Sequence, residues 1–310
     1  GNIGSDASKP VMEGKALLFK IYSGVDAFDI EVDATEPEAF IAAVKAIAPT
    51  FGAINLEDIK APECFEIERR LKAELPIPVM HDDQHGTAII SGAGLLNALE
   101  LVGKPIEDVR IVVSGAGAAA IACAKLYCDL GAKHENIVMT DSKGVITVDR
   151  TDLNDMKREF ATTRTELHTL ADAMCGADVL FGLSKGGMVS QEMVRSMAAH
   201  PIIFALANPT PEISYEEAKA ANPEVLMSTG RTDYPNQINN VLAFPYIFRG
   251  ALDTHATAIN GAMELAATRA IAALAKQPVP DYVNEAYGTT GLTFGPDYFI
   301  PKPVDHRLIV

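Results

Sequence analysis

The alternation of short apolar runs with amphipathic stretches is the feature that most limits how this 310-residue chain can fold. Between residues 109 and 229, five apolar runs are separated by turn residues and by stretches with helical periodicity. Strands that alternate with helices form βαβ units, which assemble into a parallel sheet. The pattern therefore predicts an α/β fold around one doubly wound sheet.

The same rhythm sets the predicted element boundaries. The predicted strands are Ala16–Tyr22, Ala27–Val32, Gly52–Leu56, Pro78–Met80, Val109–Ser114, Asn136–Thr140, Asp178–Gly182, Ile202–Ala207 and Leu226–Thr229. The predicted helices are Glu36–Ala48, Cys64–Leu75, Thr87–Val102, Ala118–Leu130, Leu167–Met174, Gln191–Met197, Tyr215–Ala220 and Asn260–Lys276. The Pro-containing tail Phe294–Val310 predicts an extended arm, and a domain that ends in this way is expected to pack back on the first 80 residues.

A glycine-rich turn follows the first strand of the predicted sheet. Gly115, Gly117 and Ala120 form the pattern G-x-G-x-x-A, and a helix begins there with Ala118 and Ala119. In dinucleotide-binding units the first glycine allows a tight turn, and the second lets the backbone approach a pyrophosphate at the helix N-terminus. The alternative is a glycine-rich turn without a cofactor, which the flanking strand and helix make less favoured.

The next strand ends in an acid, Asp141. An acid at this place suits the ribose 2′-hydroxyl of NAD, whereas neighbouring cations and hydroxyls suit the 2′-phosphate of NADP. Ser142 and Lys143 fit the second case, but an exposed Ser-Lys turn is equally common. This turn leaves NADP and NAD both open.

Pairs of acids follow two other predicted strands. Glu57 and Asp58 end one strand, and Asp82 and Asp83 end the next. The carboxyl ends of strands are where α/β proteins place ligands, and convergent carboxylates repel one another unless a cation lies among them. Mg²⁺ or Mn²⁺ would resolve that repulsion. Helix capping and surface turns are an equally supported alternative.

Two asparagines and a lysine complete the candidate residues. Asn208 and Asn240 follow later strands, where a carboxamide can bind a carboxylate or a nicotinamide amide, although Asx turns are the simpler explanation. Lys15 lies close to the predicted N-terminal strand. A lysine beside a metal ion has a lowered pKa and can act as a base, but most lysines are solvated surface residues.

Composition excludes several classes of protein. The chain has 26 basic and 41 acidic residues, a net charge of −15, so it lacks the basic footprint of a nucleic-acid binder. No apolar run is long enough to predict a membrane span. Four cysteines without a C-x-x-C pair predict free thiols and a cytoplasmic location. An anionic substrate would need a cation, a metal ion or helix N-termini.

Taken together, these segments resemble malic enzyme of the bacterial type. The matching segments cover essentially the whole chain in order: Gly1–Gly4, Lys9–Lys15, Ile54–Cys64, His81–Thr87, Ser114–Ala122, Asp141–Gly144, Ala205–Pro211, Gly230–Val241 and Phe244–Leu252. The resemblance implies a Rossmann-type doubly wound parallel sheet inserted in a second α/β substrate domain. It assigns residues 1–81 and 240–295 to a substrate and metal domain, 82–239 to an NAD(P)-binding domain, and 296–310 to an arm.

The resemblance also implies a reaction and a homo-oligomer. The reaction is oxidative decarboxylation of (S)-malate to pyruvate and CO₂, with Mg²⁺ or Mn²⁺ and with NADP, or NAD, as oxidant. Glu57, Asp58 and Asp83 match metal ligands, and Lys15 matches the general base. The substrate-side and nicotinamide-side residues are Asn208 and Asn240, and the cofactor residues are Gly115, Gly117, Ala118, Ala119, Asp141, Ser142, Lys143 and Asn208.

The family's proton donor is a tyrosine upstream of the motif with which this chain begins, and none of the eight tyrosines here takes its place. In some relatives a regulatory domain follows an arm similar to Phe299–Ile309. Two alternatives therefore stand beside malic enzyme activity. One is a truncated, catalytically incomplete dinucleotide-binding or assembly module, and the other is a different Rossmann dehydrogenase.

Overall fold

A computed structural model describes residues 4–309, so Gly1–Ile3 and Val310 of the predicted ranges lie outside the described residues. The helices are α1 Ser5–Ser23, α2 Pro37–Ile47, α3 Glu63–Glu74, α4 Asp82–Val102, α5 Ala118–Leu130, α6 Asp155–Glu159, α7 Leu170–Met174, α8 Gln191–Ser196, α9 Tyr215–Ala221, α10 Phe244–Asp253, α11 Gly261–Leu274 and α12 Asp281–Ala286. The strands are β1 Ile54–Leu56, β2 Val79–His81, β3 Ile111–Ser114, β4 Ile137–Asp141, β5 Gly144–Val145, β6 Val179–Gly182, β7 Ile202–Ala205 and β8 Leu226–Thr229.

The large sheet has the strand order β5-β4-β3-β6-β7-β8. All neighbouring pairs are parallel except β4–β5. Because successive side chains of a strand point to opposite faces, Val113 and Phe204 join the core formed with α4 and α5, whereas Val112 and Ile203 join the core under α7–α9. This two-sided burial confirms the predicted α/β fold with a Rossmann-type doubly wound sheet.

A second, smaller sheet consists of the parallel pair β1–β2. It packs on α2 and α3 through a separate core that contains Ile41, Val44 and Leu71. The register pairs Leu56 with His81. The acidic residues that follow each strand therefore start from neighbouring positions.

The prediction of two N-terminal strands is wrong. Ala16–Tyr22 lies inside α1, which ends at Gly24 with φ of 69°. Helical spacing, not alternation, governs this segment, since Phe19 and Ser23 are buried one turn apart and Phe19 packs edge-on against Phe244, with 4.9 Å between ring centroids. Ala27–Val32 has strand-like alternation but forms no ladder, because no strand among the described residues pairs with it.

The long helix α4 runs through the centre of the molecule and begins five residues earlier than predicted, at Asp82. Most of its residues are buried, and it packs against α5 and α11. A Cβ at Gly92 would lie 3.0 Å from Leu126, so glycine lets α5 approach closely. The N-terminus of this buried helix points its first-turn acids toward the end of β1.

The C-terminal tail packs against several helices of the chain. Phe299 and Ile300 are buried, and Asn97 of α4 donates a hydrogen bond to the Phe299 carbonyl at 2.9 Å. The turn His306–Ile309 contacts α1, α10 and α11. Among the helices within residues 4–309, none combines the length and the apolar character needed to cross a membrane.

Candidate active site

Lys15 lies between two acidic side chains at the carboxyl edge of the small sheet. Its Nζ is 3.1 Å from Glu57 Oε1 and donates a hydrogen bond to Asp82 Oδ2. The same Nζ lies 4.2 Å from the centre of the Phe244 ring. Burial disfavours the charged ammonium group, but Asp82 and Glu57 outweigh it and hold the pKa of Lys15 above its ordinary value.

The two acids that hold Lys15 destabilise each other. Burial and the charge of Asp82 raise the pKa of Glu57 to about 9, against the opposing effect of Lys15. Burial likewise raises the pKa of Asp82, whose side chain is fully buried. Asp82 Oδ1 has no hydrogen-bond partner among the described residues. The site thus holds more carboxyl groups than Lys15 could neutralise if all of them were ionised.

Asp58 and Asp83 meet through the backbone. The Asp58 N–H donates to Asp83 Oδ2 at 2.7 Å. Asp58 has φ of 61°, the left-handed region that non-glycine residues rarely occupy and that clusters at functional sites. Burial opposes ionisation of Asp83, but His81 and the Asp58 N–H lower the pKa of Asp83 to about 2. Asp83 is therefore ionised and faces the loop after β1.

Asn240 joins this cluster from the other end of the chain. Its Nδ2 lies 3.3 Å from both the backbone oxygen and Oδ2 of Asp82, and its Oδ1 accepts a hydrogen bond from Thr87 at 3.1 Å. Gly86 lies under the same group, since a Cβ there would be 1.8 Å from Asp82 Oδ1. Asp82 is thus fixed by Lys15, Asn240 and Gly86 together.

The glycine-rich turn has the shape that a dinucleotide requires. Gly115 has φ of 118°, and a Cβ there would lie 2.4 Å from the Leu183 carbonyl oxygen. A Cβ at Gly117 would meet no atom within 4 Å, so the space above this backbone is open. Ala118 and Ala119 begin α5 immediately afterwards, with free N–H groups at the helix N-terminus.

Asp141 ends β4 and is held by two cations. Arg150 donates to both of its carboxylate oxygens, at 2.9 and 3.1 Å, and Lys157 Nζ lies 2.7 Å from Oδ2. Although burial opposes ionisation, these hydrogen bonds lower the pKa of Asp141 to about 2. The Lys143 backbone N–H also donates to Asp141, while its Nζ pairs with Asp152 at 2.7 Å. Arg150 also binds Asp152, at 3.0 Å. The predicted Asp141 turn is a cluster of three cations and two acids.

Asn208 lies at the carboxyl end of the large sheet. Its peptide bond to Pro209 is cis, and its carboxamide lies against Gly230, where a Cβ would be 3.3 Å from both Nδ2 and Oδ1. The backbone from Gly230 leads to Asn240, which contacts Asp82. This segment connects the sheet edge near Asn208 with the acidic cluster.

Comparison with known proteins identifies the family. The profile described as "Malic enzyme, NAD binding domain" matches residues 84–284, and that described as "Malic enzyme, N-terminal domain" matches residues 1–72. This chain belongs to the malic enzyme family. It is 57% identical over 309 residues to the NADP-dependent malic enzyme of Halomonas elongata, a match that covers 100% of this chain and 73% of the relative.

Two further malic enzymes show what fraction of a relative's length this chain covers. It is 58% identical to the NADP-dependent malic enzyme of Escherichia coli over 100% of this chain, but it spans only 41% of that relative's length. The crystal structure of the NAD-dependent malic enzyme of Thermotoga maritima superposes with a TM-score of 0.89 at 41% identity, covering 100% of this chain and 78% of that chain. The likeness confirms the fold and excludes an unrelated Rossmann dehydrogenase.

The malic enzyme fold brings most of the predicted site residues into two groups. One group contains Lys15, Glu57, Asp58, Asp83 and Asn240, and the other contains Gly115, Gly117, Ala118 and Ala119 at the turn after β3. Asn208 contacts Gly230 rather than the acidic cluster. Asp141 belongs to neither group and lies in a separate charged cluster with Lys143, and the neighbouring Ser142 is exposed.

Three residues contact the predicted site residues without having been predicted as site residues themselves: Asp82, which the sequence showed only as part of an acid pair, and Arg150 and Lys157, which it did not single out. Asp82 is the closest partner of Lys15, although the two lie 67 residues apart in sequence. Arg150 and Lys157 hold Asp141. The doubled acid at positions 82 and 83 was a usable signal for Asp82. No local pattern signals Arg150 or Lys157, because surface cations are common after any Rossmann strand.

A hard divalent cation fits the donor chemistry of this malic enzyme. Within residues 4–309, no three His, Cys, Asp or Glu side chains are already arranged around a metal-sized point. The charges of Asp82 and Asp83 nevertheless help to raise the pKa of Glu57, the charge of Asp83 helps to raise that of Asp82, and Asp82 Oδ1 is buried without a partner among the described residues. Crowded carboxylates with an unpartnered buried oxygen suit an oxygen-liganded ion such as Mg²⁺ or Mn²⁺.

Proposed function

We propose that this chain carries out the oxidative decarboxylation of (S)-malate to pyruvate and CO₂, with reduction of NADP and with a requirement for Mg²⁺ or Mn²⁺. The observation that carries the proposal is the position of Lys15 between Glu57 and Asp82. It puts a largely buried ammonium group between two carboxylates at one point.

Lys15 is the proposed general base for the C2 hydroxyl of malate. To accept a proton it must first be neutral, and Asp82 is hydrogen-bonded to its Nζ and is fully buried. Asp82 is therefore the group placed to exchange a proton with Lys15. Its own position is held by Asn240 and by the lack of a side chain at Gly86.

Glu57, Asp58 and Asp83 are the proposed ligands of Mg²⁺ or Mn²⁺. The ion would supply Lewis-acid polarisation of the substrate oxygens. Asn240 and Asn208 are the proposed substrate contacts, and Asn208 is also a proposed cofactor contact. Each offers a carboxamide that can donate to a carboxylate oxygen of malate or accept from the nicotinamide amide.

The preference for NADP rests on the charges around Asp141. In NAD-binding units a free acid at this place accepts the ribose 2′-hydroxyl. Here the carboxylate is already bound by Arg150 and Lys157, and with Lys143 and Asp152 the cluster has three positive and two negative groups. A net positive cluster favours the 2′-phosphate of NADP. Named relatives include both NADP-dependent and NAD-dependent malic enzymes.

A spectrophotometric assay of the purified protein tests the proposal. With (S)-malate, NADP and Mn²⁺, we expect NADPH and pyruvate to form in equal amounts, more slowly with NAD and not at all after chelation of the metal. Asp83→Asn should abolish turnover. Turnover that survives chelation, or an intact rate in Asp83→Asn, would overturn the metal assignment. Nucleotide binding without turnover under all conditions would instead favour the assembly-module alternative.

The remaining predictions extend this proposal. We propose a homo-oligomer in the cytoplasm, and a substrate and metal domain of residues 1–81 and 240–295 around a nucleotide-binding domain of residues 82–239. The packing of α10 on α1, through Phe19, Phe244 and Phe248, supports the assignment of residues after 240 to the first domain. The four free cysteines are consistent with a reducing compartment.

A further inference from the structure

The carboxylate of Glu68 lies behind the turn that carries Asp82 and Asp83. Glu68 is on α3 and only 6% exposed. Its Oε1 accepts the backbone N–H of His81 at 3.0 Å, and its Oε2 accepts Gln84 Nε2 at 3.3 Å. Glu68, a buried acid on a different helix, therefore binds the residues on both sides of Asp82 and Asp83, which we call the two-acid turn.

His85 adds a third link between Glu68 and this turn. Its Nε2 lies 2.9 Å from Glu68 Oε1, and its Nδ1 lies 2.9 Å from Glu264 Oε1 on α11. Because both ring nitrogens face a carboxylate, the ring donates on both sides. Lys72 also pairs with Glu68, at 2.8 Å. Glu68 is therefore fully occupied, and its partners tie α3 and α11 to the start of α4.

A chain of polar contacts leads from Glu68 to Asp83. Gln84 Nε2 contacts His81 Nδ1 at 2.8 Å as well as Glu68. An amide nitrogen can only donate, so His81 Nδ1 accepts and the ring hydrogen sits on Nε2. That Nε2 lies 3.4 Å from Asp83 Oδ2. The ring of the buried His81 is thereby oriented toward the Asp83 carboxylate.

The first turn of α4 needs this support from outside the helix. Its N-cap residue, His81, makes no side-chain capping bond, and the turn begins with two adjacent acids that repel each other. Glu68 supplies the missing acceptor for the His81 N–H, and its negative charge is balanced by His85 and Lys72. Without Glu68, the backbone at His81 would lose this acceptor, and the side chains of Asp82 and Asp83 would be free to move away from each other.

We propose that Glu68 is a positioning residue that holds the turn of Asp82 and Asp83 in the geometry required to bind the divalent cation. The inference rests on the proposed function, because Asp83 is a metal ligand only in that proposal. Glu68 itself is neither a proposed substrate contact nor a proposed metal ligand. Its effect reaches the site through Gln84, His81 and the α4 backbone.

The test compares Glu68→Gln with Glu264→Gln by direct Mn²⁺ binding, measured from the electron paramagnetic resonance signal of free Mn²⁺. Both variants remove one carboxylate from His85, but only Glu68 contacts the two-acid turn. We expect Glu68→Gln to weaken Mn²⁺ binding about tenfold, as removal of outer-shell partners commonly does. Glu264→Gln should stay within about threefold of the wild type. At saturating Mn²⁺, Glu68→Gln should regain most of its kcat, so that KM for Mn²⁺ changes more than kcat.

Equal Mn²⁺ affinity in Glu68→Gln and the wild type, or equal losses in both variants, would overturn the positioning role. Should Glu68→Gln fail to fold, Gln84→Met removes the side-chain link from Glu68 to the His81 ring, and a loss of Mn²⁺ affinity of about threefold or more is expected, smaller than tenfold because Glu68 still accepts the His81 N–H. Asp83→Asn separates the two proposals. If it binds Mn²⁺ normally, the metal assignment itself fails, whereas loss in Asp83→Asn with normal binding in both Glu68→Gln and Gln84→Met refutes only the role of Glu68.

Discussion

Lys15 Nζ lies 3.1 Å from Glu57 Oε1, but the single positive charge of Lys15 cannot balance both Glu57 and Asp82 when both are ionised. Asp82 already holds the ammonium group through a hydrogen bond, and it is more deeply buried than Glu57. Ion pairs inside a protein stabilise it only when every charge is matched, so the surplus carboxylate costs stability. The acidic cluster is therefore a place where function takes precedence over stability.

Glu57→Gln should stabilise the metal-free protein. The pKa of Glu57 is about 9 in the folded protein against 4.5 ordinarily. Between these pH values the folded state binds a proton that the unfolded state does not, so stability falls as pH rises through this window. Removing this titration should raise the melting temperature at pH 8 by about 2 °C. Thermal unfolding after chelation, from pH 5 to pH 9, measures the effect.

The matched control is Glu13→Gln, which removes an exposed acid from the same helix as Lys15. It should leave the pH dependence of unfolding unchanged. Glu57→Gln should also lose the stabilisation that Mn²⁺ gives to the wild type. A variant that melts at a lower temperature than the wild type at pH 8 would show that Glu57 is not a source of strain.

Arg150→Gln should reduce the affinity for NADPH selectively. Arg150 binds both oxygens of Asp141, and its loss removes one of the cations proposed to face the 2′-phosphate while freeing an acid that repels it. We expect about a tenfold rise in the dissociation constant for NADPH, which corresponds to about 1.4 kcal/mol. Affinity for NADH, which lacks that phosphate, should stay the same or improve. Titration of nicotinamide fluorescence measures both constants.

Arg158→Gln is the control for this prediction. Arg158 is on the same short helix as Lys157, but its guanidinium donates to the Leu153 carbonyl rather than to Asp141. It should leave both constants unchanged. Equal losses for NADPH and NADH in Arg150→Gln would mean that Arg150 supports the turn as a whole and does not distinguish the two cofactors.

Local patterns in the sequence were enough to predict the parallel strands of the large sheet and its glycine-rich turn. The two-residue strand β5 was not predicted, but every other strand from β3 to β8 follows its own apolar run and the turn after it, so β8 and α5 fall where they were predicted. Ala16–Tyr22 was misassigned because a short apolar run suits a buried strand and a helix equally well. What decides between them is packing against Phe244, more than 220 residues away.

In the candidate site, too, local patterns predict some residues, and packing between distant segments decides the others. Glu57, Asp58 and Asp83 could be picked out because they follow strands, and parallel strands end at one edge. The pairing of Lys15 with Asp82 depends on how α1 packs across the small sheet, which no spacing reveals. Glu68 looked like one of several charged residues on α3, and only its burial against His81 distinguishes it.

Gly115→Ala and Gly117→Ala should affect the protein in different ways. At Gly115 the backbone has φ of 118° and a Cβ would overlap the Leu183 carbonyl oxygen, so alanine should destabilise the fold by about 2 kcal/mol or more and abolish cofactor binding. At Gly117 a Cβ meets nothing within 4 Å, so alanine should leave the melting temperature unchanged and weaken NADPH binding alone. Thermal unfolding and fluorescence titration separate the two effects. Unimpaired NADPH binding in Gly117→Ala would remove this turn from the cofactor site.

Gly86→Ala should inactivate the enzyme through Asp82. A Cβ at Gly86 would lie 1.8 Å from Asp82 Oδ1, and Asn240 closes the other side at 3.3 Å, so the buried carboxylate must move away from Lys15. We expect kcat to fall at least a hundredfold, because a displacement of about 1 Å is enough to cost that much. Gly250→Ala, in a helix where a Cβ meets nothing within 4 Å, is the control and should keep full activity.

Gly86→Ala also separates the role of Asp82 from that of the proposed metal ligands, since Mn²⁺ binding to Glu57, Asp58 and Asp83 should survive the substitution. Loss of Mn²⁺ binding together with activity would instead place Asp82 among the ligands.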